Sequence, residues 1–257
     1  MSDLALGFRQ VRWTNRAFWR NPASAFFTFA FPLMFLVIFT AIFGGTTNTA
    51  FGEISTSDYY IPAIGTFSII TATYTNLAIS ITFLRDAGIL KRIRGTPLPA
   101  WAYMFGRIVH AILVSLLLVA IVIVFGVVFY GVRVPTDRLL PFIVTIIVGA
   151  ACFSALGLAV TSIVPNADAA PAVVNATILP LLFLSGVFIP LQPGNPWYVL
   201  LAKFFPVYHF AHAMLAAYFG AQIREAAWQW RDLLVIAIWG LFGALVAVRR
   251  FRWEASR

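Results

Sequence analysis

His209 and His212 stand three residues apart, a spacing that brings two imidazoles onto one helix face and within reach of a shared metal ion. A zinc site needs at least three protein ligands, and no Asp, Glu or Cys lies close by in sequence to complete one. Packing or hydrogen bonding is the expected role of both, and no metal site is expected. A phosphate-cradling loop needs a Lys behind a Gly-rich turn, followed by Ser or Thr for magnesium. The two lysines, Lys91 and Lys203, follow Leu90 and Ala202 and precede Arg92 and Phe204, so the chain binds no nucleotide by that motif and calls for no cofactor of its own. No carboxylate is set within an apolar run where it would couple an ion. Asp168, in the turn VPNADAAP, reads as a helix cap beside Asn166. Arg107 and His110 read as side chains that snorkel to an interface. No cluster of His, Asp, Glu and Ser marks an enzyme.

What must position these residues is set by composition. Apolar residues make up 61% of the 257 positions and charged ones 11%, too little polar surface to clothe a soluble globule. The solvent is lipid, and at ~20 residues per crossing the chain holds several spans and no separate soluble domain. The lone Cys152 lies in an apolar stretch, packs as a small hydrophobe and gives no redox information. The N-terminus lacks the order of a cleaved signal peptide, so the first span is expected to remain as an anchor. A net charge of +9 comes in short clusters between apolar runs, which is a topology signal and not a nucleic-acid face. Apolar runs bounded by breakers predict spans at 24–44, 60–84, 103–130, 139–164, 170–190 and 231–248. Basic clusters before the first (Arg9, Arg12, Arg16, Arg20), after the second (Arg85, Lys91, Arg92, Arg94) and after the sixth (Arg249, Arg250, Arg252, Arg257) put those segments and both termini in the cytoplasm. The loop 45–58, with Glu53 and Asp58 and no Lys or Arg, fits the outside.

Residues 197–219 are apolar enough for a seventh span but carry Lys203, Pro206, His209 and His212. A Lys at mid-bilayer costs ~3 kcal/mol, so two short helices dipping in from the outer face and broken at Pro206 are expected instead, in the region between Pro190 and the sixth span. The prediction is an all-α integral membrane protein of six transmembrane helices and one domain over 1–257. It has an interfacial amphipathic helix in 1–22, a cytoplasmic segment at 85–101 and an external re-entrant region at 191–230.

Three segments are equipped for work. At about 100° per residue, Arg9, Arg12, Arg16 and Arg20 share one sector before the first span, while Leu4, Phe8, Val11 and Phe18 share another. That describes a helix lying in the interface with its Arg side chains reaching lipid phosphates, and Asn21-Pro22 then turns the chain into the span. The loop RDAGILKRIRGTPLPAW, Arg85 to Trp101, places Ile89 and Ile93 four apart among cations and closes with Gly and Pro. A short helix of this kind suits a groove on a soluble partner, with the Ile pair as anchors and the cations as rim. The second span carries Thr66, Ser68, Thr71, Thr73, Thr75, Asn76, Ser80 and Thr82. It is expected to face other helices or a translocation path, for which Thr71, Thr75, Asn76 and Ser80 are candidates. Ala151, Ala155 and Ala159 beside Gly149 and Gly157 permit close helix approach in the fourth span.

The segment from Arg85 to Pro99 resembles the cytoplasmic coupling segment of type 2 ABC exporter permeases (ABC-2 type), including those of daunorubicin and multidrug resistance. A second match runs through Phe183-Leu-Ser-Gly-Val-Phe-Ile-Pro190, Pro196-Trp197 and Phe205-Pro206-Val-Tyr-His209. One departure is Leu215, where the family often has Arg. The resemblance implies a half-transporter whose ATP and magnesium are bound by a separate ABC subunit contacting 85–94, and a second permease copy or related chain. It further implies export of an amphipathic drug, lipid or lipid-linked glycan. The excess of Arg over Lys, sixteen to two, points to a bacterial source and hence the inner membrane. An ion-coupled carrier, a membrane-embedded enzyme and a non-transporting assembly subunit are the rival readings.

Overall fold

In the computed structural model, which describes residues 3–43, 47–48, 54–191, 197–223, 225–251 and 253–254, the apolar runs become helices because lipid offers the backbone no partner but itself. Glu53, Pro196, Arg252 and Arg257 lie outside the described residues. Helix α1 (Asp3–Trp19) ends before Asn21, whose side-chain oxygen accepts from the Ser24 N–H at 3.2 Å, and Pro22 opens α2 (Pro22–Phe43) where its missing N–H is not needed. Two residues each of β1 (Thr47–Asn48) and β2 (Ile54–Ser55) pair antiparallel. Helix α3 (Thr56–Ile70), a π-helical turn (Thr71–Thr75) and α4 (Asn76–Asp86) then form one rod. Short α5 (Ile89–Arg94) leads to α6 (Ala100–Tyr130) and α7 (Leu139–Val160). After α8 (Ala170–Leu184) come two short helices, α9 (Trp197–Ala202) and α10 (Pro206–Phe219), and finally α11 (Trp230–Arg250).

Among the described residues, five stretches are long and apolar enough to cross a membrane: 22–43, 56–86, 100–130, 136–160 and 230–250. The expected span at 170–190 differs. Helix α8 has 15 residues, about 22 Å at 1.5 Å per residue, against a hydrocarbon core of ~30 Å. The apolar run continues beyond it without helix because other groups take over its backbone. The Tyr59 hydroxyl donates to the Gly186 carbonyl and the Tyr60 hydroxyl to that of Phe188 at 3.2 Å, so the segment after α8 is pinned to α3.

Helices α3, α7 and α10 form the centre, with Tyr59, Phe153 and Phe210 almost fully buried. Helix α10 runs antiparallel to α7: Phe210 rests against Gly149 and Phe153, and Tyr218 against Phe142. Helix α11 lies parallel to α7, since Gly240 abuts Cys152 while Gly243 abuts Ala155 and Leu156. Its last turn therefore shares the end of the bundle that holds α5, where Trp253 approaches the Tyr103 ring and Lys91 pairs with Glu254 at 3.6 Å. We call this the basic end. The π turn has a steric partner. A methyl group on Gly157 would stand 2.8 Å from the Tyr74 carbonyl oxygen, so α7 touches the widened turn backbone to backbone.

Candidate functional site

At the basic end, α4 closes on Arg85 and Asp86, and the two side chains reach across to the turn between α7 and α8. Arg85 is 3% exposed. It donates to the carbonyls of Thr161 (3.0 Å), Val164 (2.8 Å) and Pro165 (3.2 Å), groups that the end of α7 leaves without helical partners. Its Nε also donates to Asp86 Oδ1 at 3.2 Å, and Asp86 Oδ2 accepts from the Ala167 N–H at 2.5 Å. The pair is thus a clamp between two helical rods, with Arg85 buried in it and Asp86 partly exposed beside it. The same turn is capped by Asn166, whose side chain accepts from the Ala169 N–H at 2.9 Å, rather than by Asp168.

Helix α5 springs from Gly88, whose positive φ of 70° makes the sharp corner after α4. Leu90 is fully buried among Leu77, Ile81, Tyr103 and Leu158, and Ile93 leans on the same cluster. The outward face carries Ile89, Lys91, Arg92 and Arg94, all exposed. The Ile89–Ile93 ridge expected from spacing is therefore split: Ile89 faces out, while Ile93 and Leu90 anchor the helix to its own bundle. Four residues on a helix stand about 40° apart, enough for the bundle to claim one and leave the other.

The hydroxyl-rich rod sorts into two faces. Thr66, Ser68, Thr73 and Thr82 are fully buried, and each donates to the carbonyl four residues back, at 2.6–2.9 Å. Tyr74 bonds Thr177 of α8 at 2.7 Å. By contrast Thr71, Thr75, Asn76 and Ser80 are half-buried and line two adjoining clefts beside α2 and α6. Helix α1 lies across the start of α6. A methyl group on Gly106 would meet Gln10 Cβ at 2.5 Å and the Gln10 carbonyl carbon at 2.9 Å, so only Gly admits this crossing. Arg9, Arg12, Arg16 and Arg20 all point away from the bundle and are exposed. Phe18 turns inward, its ring centroid 5.3 Å from that of His110 in an edge-on contact.

The opposite end holds what sequence spacing missed. His209 Nδ1 meets Asp232 Oδ1 and His212 Nδ1 meets Asp232 Oδ2, each at 2.6 Å, so α10 is tied to the first turn of α11. Neither the expectation that no carboxylate stands near these histidines nor that none lies within a span holds, because the fold brings Asp232 back across 23 residues. His209 Nε2 faces the Lys203 carbonyl at 2.8 Å, which only accepts, so that nitrogen carries hydrogen. The Asp232 hydrogen bond raises the His212 pKa above the usual histidine range, with Glu225 4.0 Å from its Nε2 adding to the effect. Both imidazoles spend a nitrogen on one carboxylate instead of converging, and no metal-binding group occurs among the described residues. Pro206 opens α10 and Pro190 follows the pinned segment after α8. Where the family often has Arg, Leu215 is buried, and the carbonyl of Phe219 at the end of α10 is met by Arg138 at 2.6 Å.

The sequence profile of the ABC-2 type transporter family matches residues 8–219, from the second turn of α1 to the end of α10. No curated protein matches the chain.

Proposed function

Because the chain belongs to the ABC-2 type transporter family, whose multi-pass permeases work with separate ABC ATP-binding subunits, we propose that it is the permease half of an ATP-driven exporter of the multidrug-resistance kind. It sits in a bacterial inner membrane with both termini in the cytoplasm. The observation that carries this reading is α5: an exposed cationic face on a helix that is bolted from behind to two rods of the bundle. A partner closing on Ile89, Lys91, Arg92 and Arg94 displaces α4 and, through Arg85 and Asp86, the ends of α7 and α8. Thermal slack is small because each joint is a hydrogen bond or a packed side chain.

Six crossings are the reading that helix direction supports. Helices α7 and α11 run parallel, so the chain between them returns to the far end, and α8 with its pinned extension makes that crossing. Helices α9 and α10 then form the re-entrant pair, because Phe210 near the start of α10 lies deep against the middle of α7 while Tyr218 lies near its outer end. A second copy or related chain covers α2, whose Phe26, Phe27, Ile38 and Ile42 are exposed. Substrate passes from the inner leaflet outward along Thr71, Thr75, Asn76 and Ser80.

Charge reversal at Arg92 and Arg94 tests the reading. Transport is expected to fall at least about tenfold relative to ATP hydrolysis, with membrane insertion and melting unchanged. Intact coupling in the double variant would remove α5 from the mechanism. An ion-coupled carrier draws on one observation, the hydrogen-bonded His209–Asp232–His212 trio. Export that survives ATP depletion but collapses with the proton gradient would favour it.

A further inference from the structure

The two clefts beside the polar face of the rod share Ser24, Ala72 and Asn76 and form one continuous groove. The part nearer the basic end, about 440 Å³, lies between α1, α2, the π turn with α4, and α6. Its polar wall is Asn21, Asn76, Ser80, Arg107 and His110, and no carboxylate lines it. Arg107 bonds only the Tyr103 hydroxyl, at 3.2 and 3.3 Å, and has no acidic partner among the described residues. His110 is 9% exposed, yet its Nδ1 has no hydrogen-bond partner. A buried imidazole nitrogen without a partner is costly to leave so, and a half-buried guanidinium with no counter-ion is an invitation to one. The adjoining part, about 270 Å³, is walled mainly by Phe27, Phe31, Pro32 and Leu118, with Thr71 and Thr75 on the side of the rod.

We propose that this groove binds an anionic amphiphile, with its head group between Arg107, His110 and Asn76 and its apolar body along α2 toward Leu118. The charge of the site is set by Arg107, which remains cationic at any physiological pH. The combined volume falls within the range of sites for small lipids and drug-sized molecules. Such a ligand has two sources, a cargo awaiting export or an anionic phospholipid held from the inner leaflet. The cargo alternative rests on the transporter reading, whereas binding itself does not.

The test uses the full chain in nanodiscs of phosphatidylcholine, titrated with a dansyl-labelled long-chain carboxylic acid and with its methyl ester. The acid is expected to bind roughly tenfold tighter or better than the ester, a comparison that needs no variant. Arg107→Gln should bring the acid down to the ester, Arg107→Lys should keep most of the preference, and Arg249→Gln, at an exposed Arg of the same end, should leave it intact. Equal affinity for acid and ester in the wild type, or a preference that survives Arg107→Gln, would overturn the proposal. Two further arms separate the sources in cells carrying the whole transporter. ATP-dependent export of the acid that is slowed by Arg107→Gln marks cargo. Export untouched by that change, with phosphatidylglycerol lost from the purified variant, marks a resident lipid. Acid binding without any ATP-dependent export in the wild type would count against the transporter reading and leave the binding site standing.

Discussion

Truncating Arg85 to Ala removes the donors from three carbonyls at once. Two of them, on Thr161 and Val164, belong to buried residues, and the third, on Pro165, belongs to an exposed one that water can reach. An orphaned buried acceptor costs about 1–3 kcal/mol, so two give about 2–6 kcal/mol, with little added by the third. Asp86 keeps the Ala167 N–H but loses the charged Nε–H donor at its Oδ1, which its partial exposure lets water replace. At roughly 2–4 °C per kcal/mol for a chain of this size, the full protein in detergent should melt about 4–24 °C earlier, followed by the fluorescence of its eight Trp residues. Arg85→Lys should lose about half as much, since one ammonium reaches one or two of the carbonyls but not all. The Arg92→Glu and Arg94→Glu pair, on the exposed face, should melt within about 1 °C of wild type. If Arg85→Ala melts with the wild type, or if the exposed pair costs as much as Arg85 does, the clamp is not what joins α4 to the α7–α8 turn.

Gly157→Ala should destabilise by about 1–3 kcal/mol, because its methyl group meets backbone at Tyr74 and not a side chain that can move aside; melting of the purified chain checks it. Gly106→Val should lift α1 from α6 while leaving the remaining helices folded, seen as faster amide exchange confined to α1. Because the His212 pKa is raised in the fold, the stability its proton brings is complete below the unfolded value near 6.5 and is lost as pH climbs through the raised one. Wild-type melting should fall across that interval, and Asp232→Asn should flatten the profile. Cys152 is 2% exposed and backed by Gly240, so a maleimide should label it only after denaturation.

Where apolar runs end was legible because lipid enforces length: the first span, expected at 24–44, is Pro22–Phe43, and the third, at 103–130, is Ala100–Tyr130. The fifth, expected at 170–190, is helical only over Ala170–Leu184, since hydropathy registers apolar side chains and not which tyrosine hydroxyls hold the carbonyls of Gly186 and Phe188. The basic segment at 85–94 was visible as a unit, but charge count does not separate Arg85, turned inward onto three carbonyls, from Arg92, turned out. The signal that would have separated them is position: Arg85 stands before the Gly88 corner, on the buried rod, and the other cations stand after it. Asp232 was missed because its partners lie on another helix, and only the approach of α10 to α11 makes two histidines and one carboxylate a group.

The π turn at Thr71–Thr75 sets the phase of everything below it. A π turn takes one residue more than an α turn to reach the same place on the helix, the Asn76 N–H bonding back to the Thr71 carbonyl. Wound as regular α-helix with every residue kept, the turn would rotate α4 by about 100° against α3. Asn76 and Ser80 would then swing out of the groove and Arg85 would point away from the α7–α8 turn, while Tyr59 and Tyr60 above kept their places. Deleting one residue within Thr71–Thr75 removes the extra residue and leaves α4 in phase, so the lower half of the rod should tolerate it, whereas one residue deleted from α3 or α4 outside the turn should disable that half as a block.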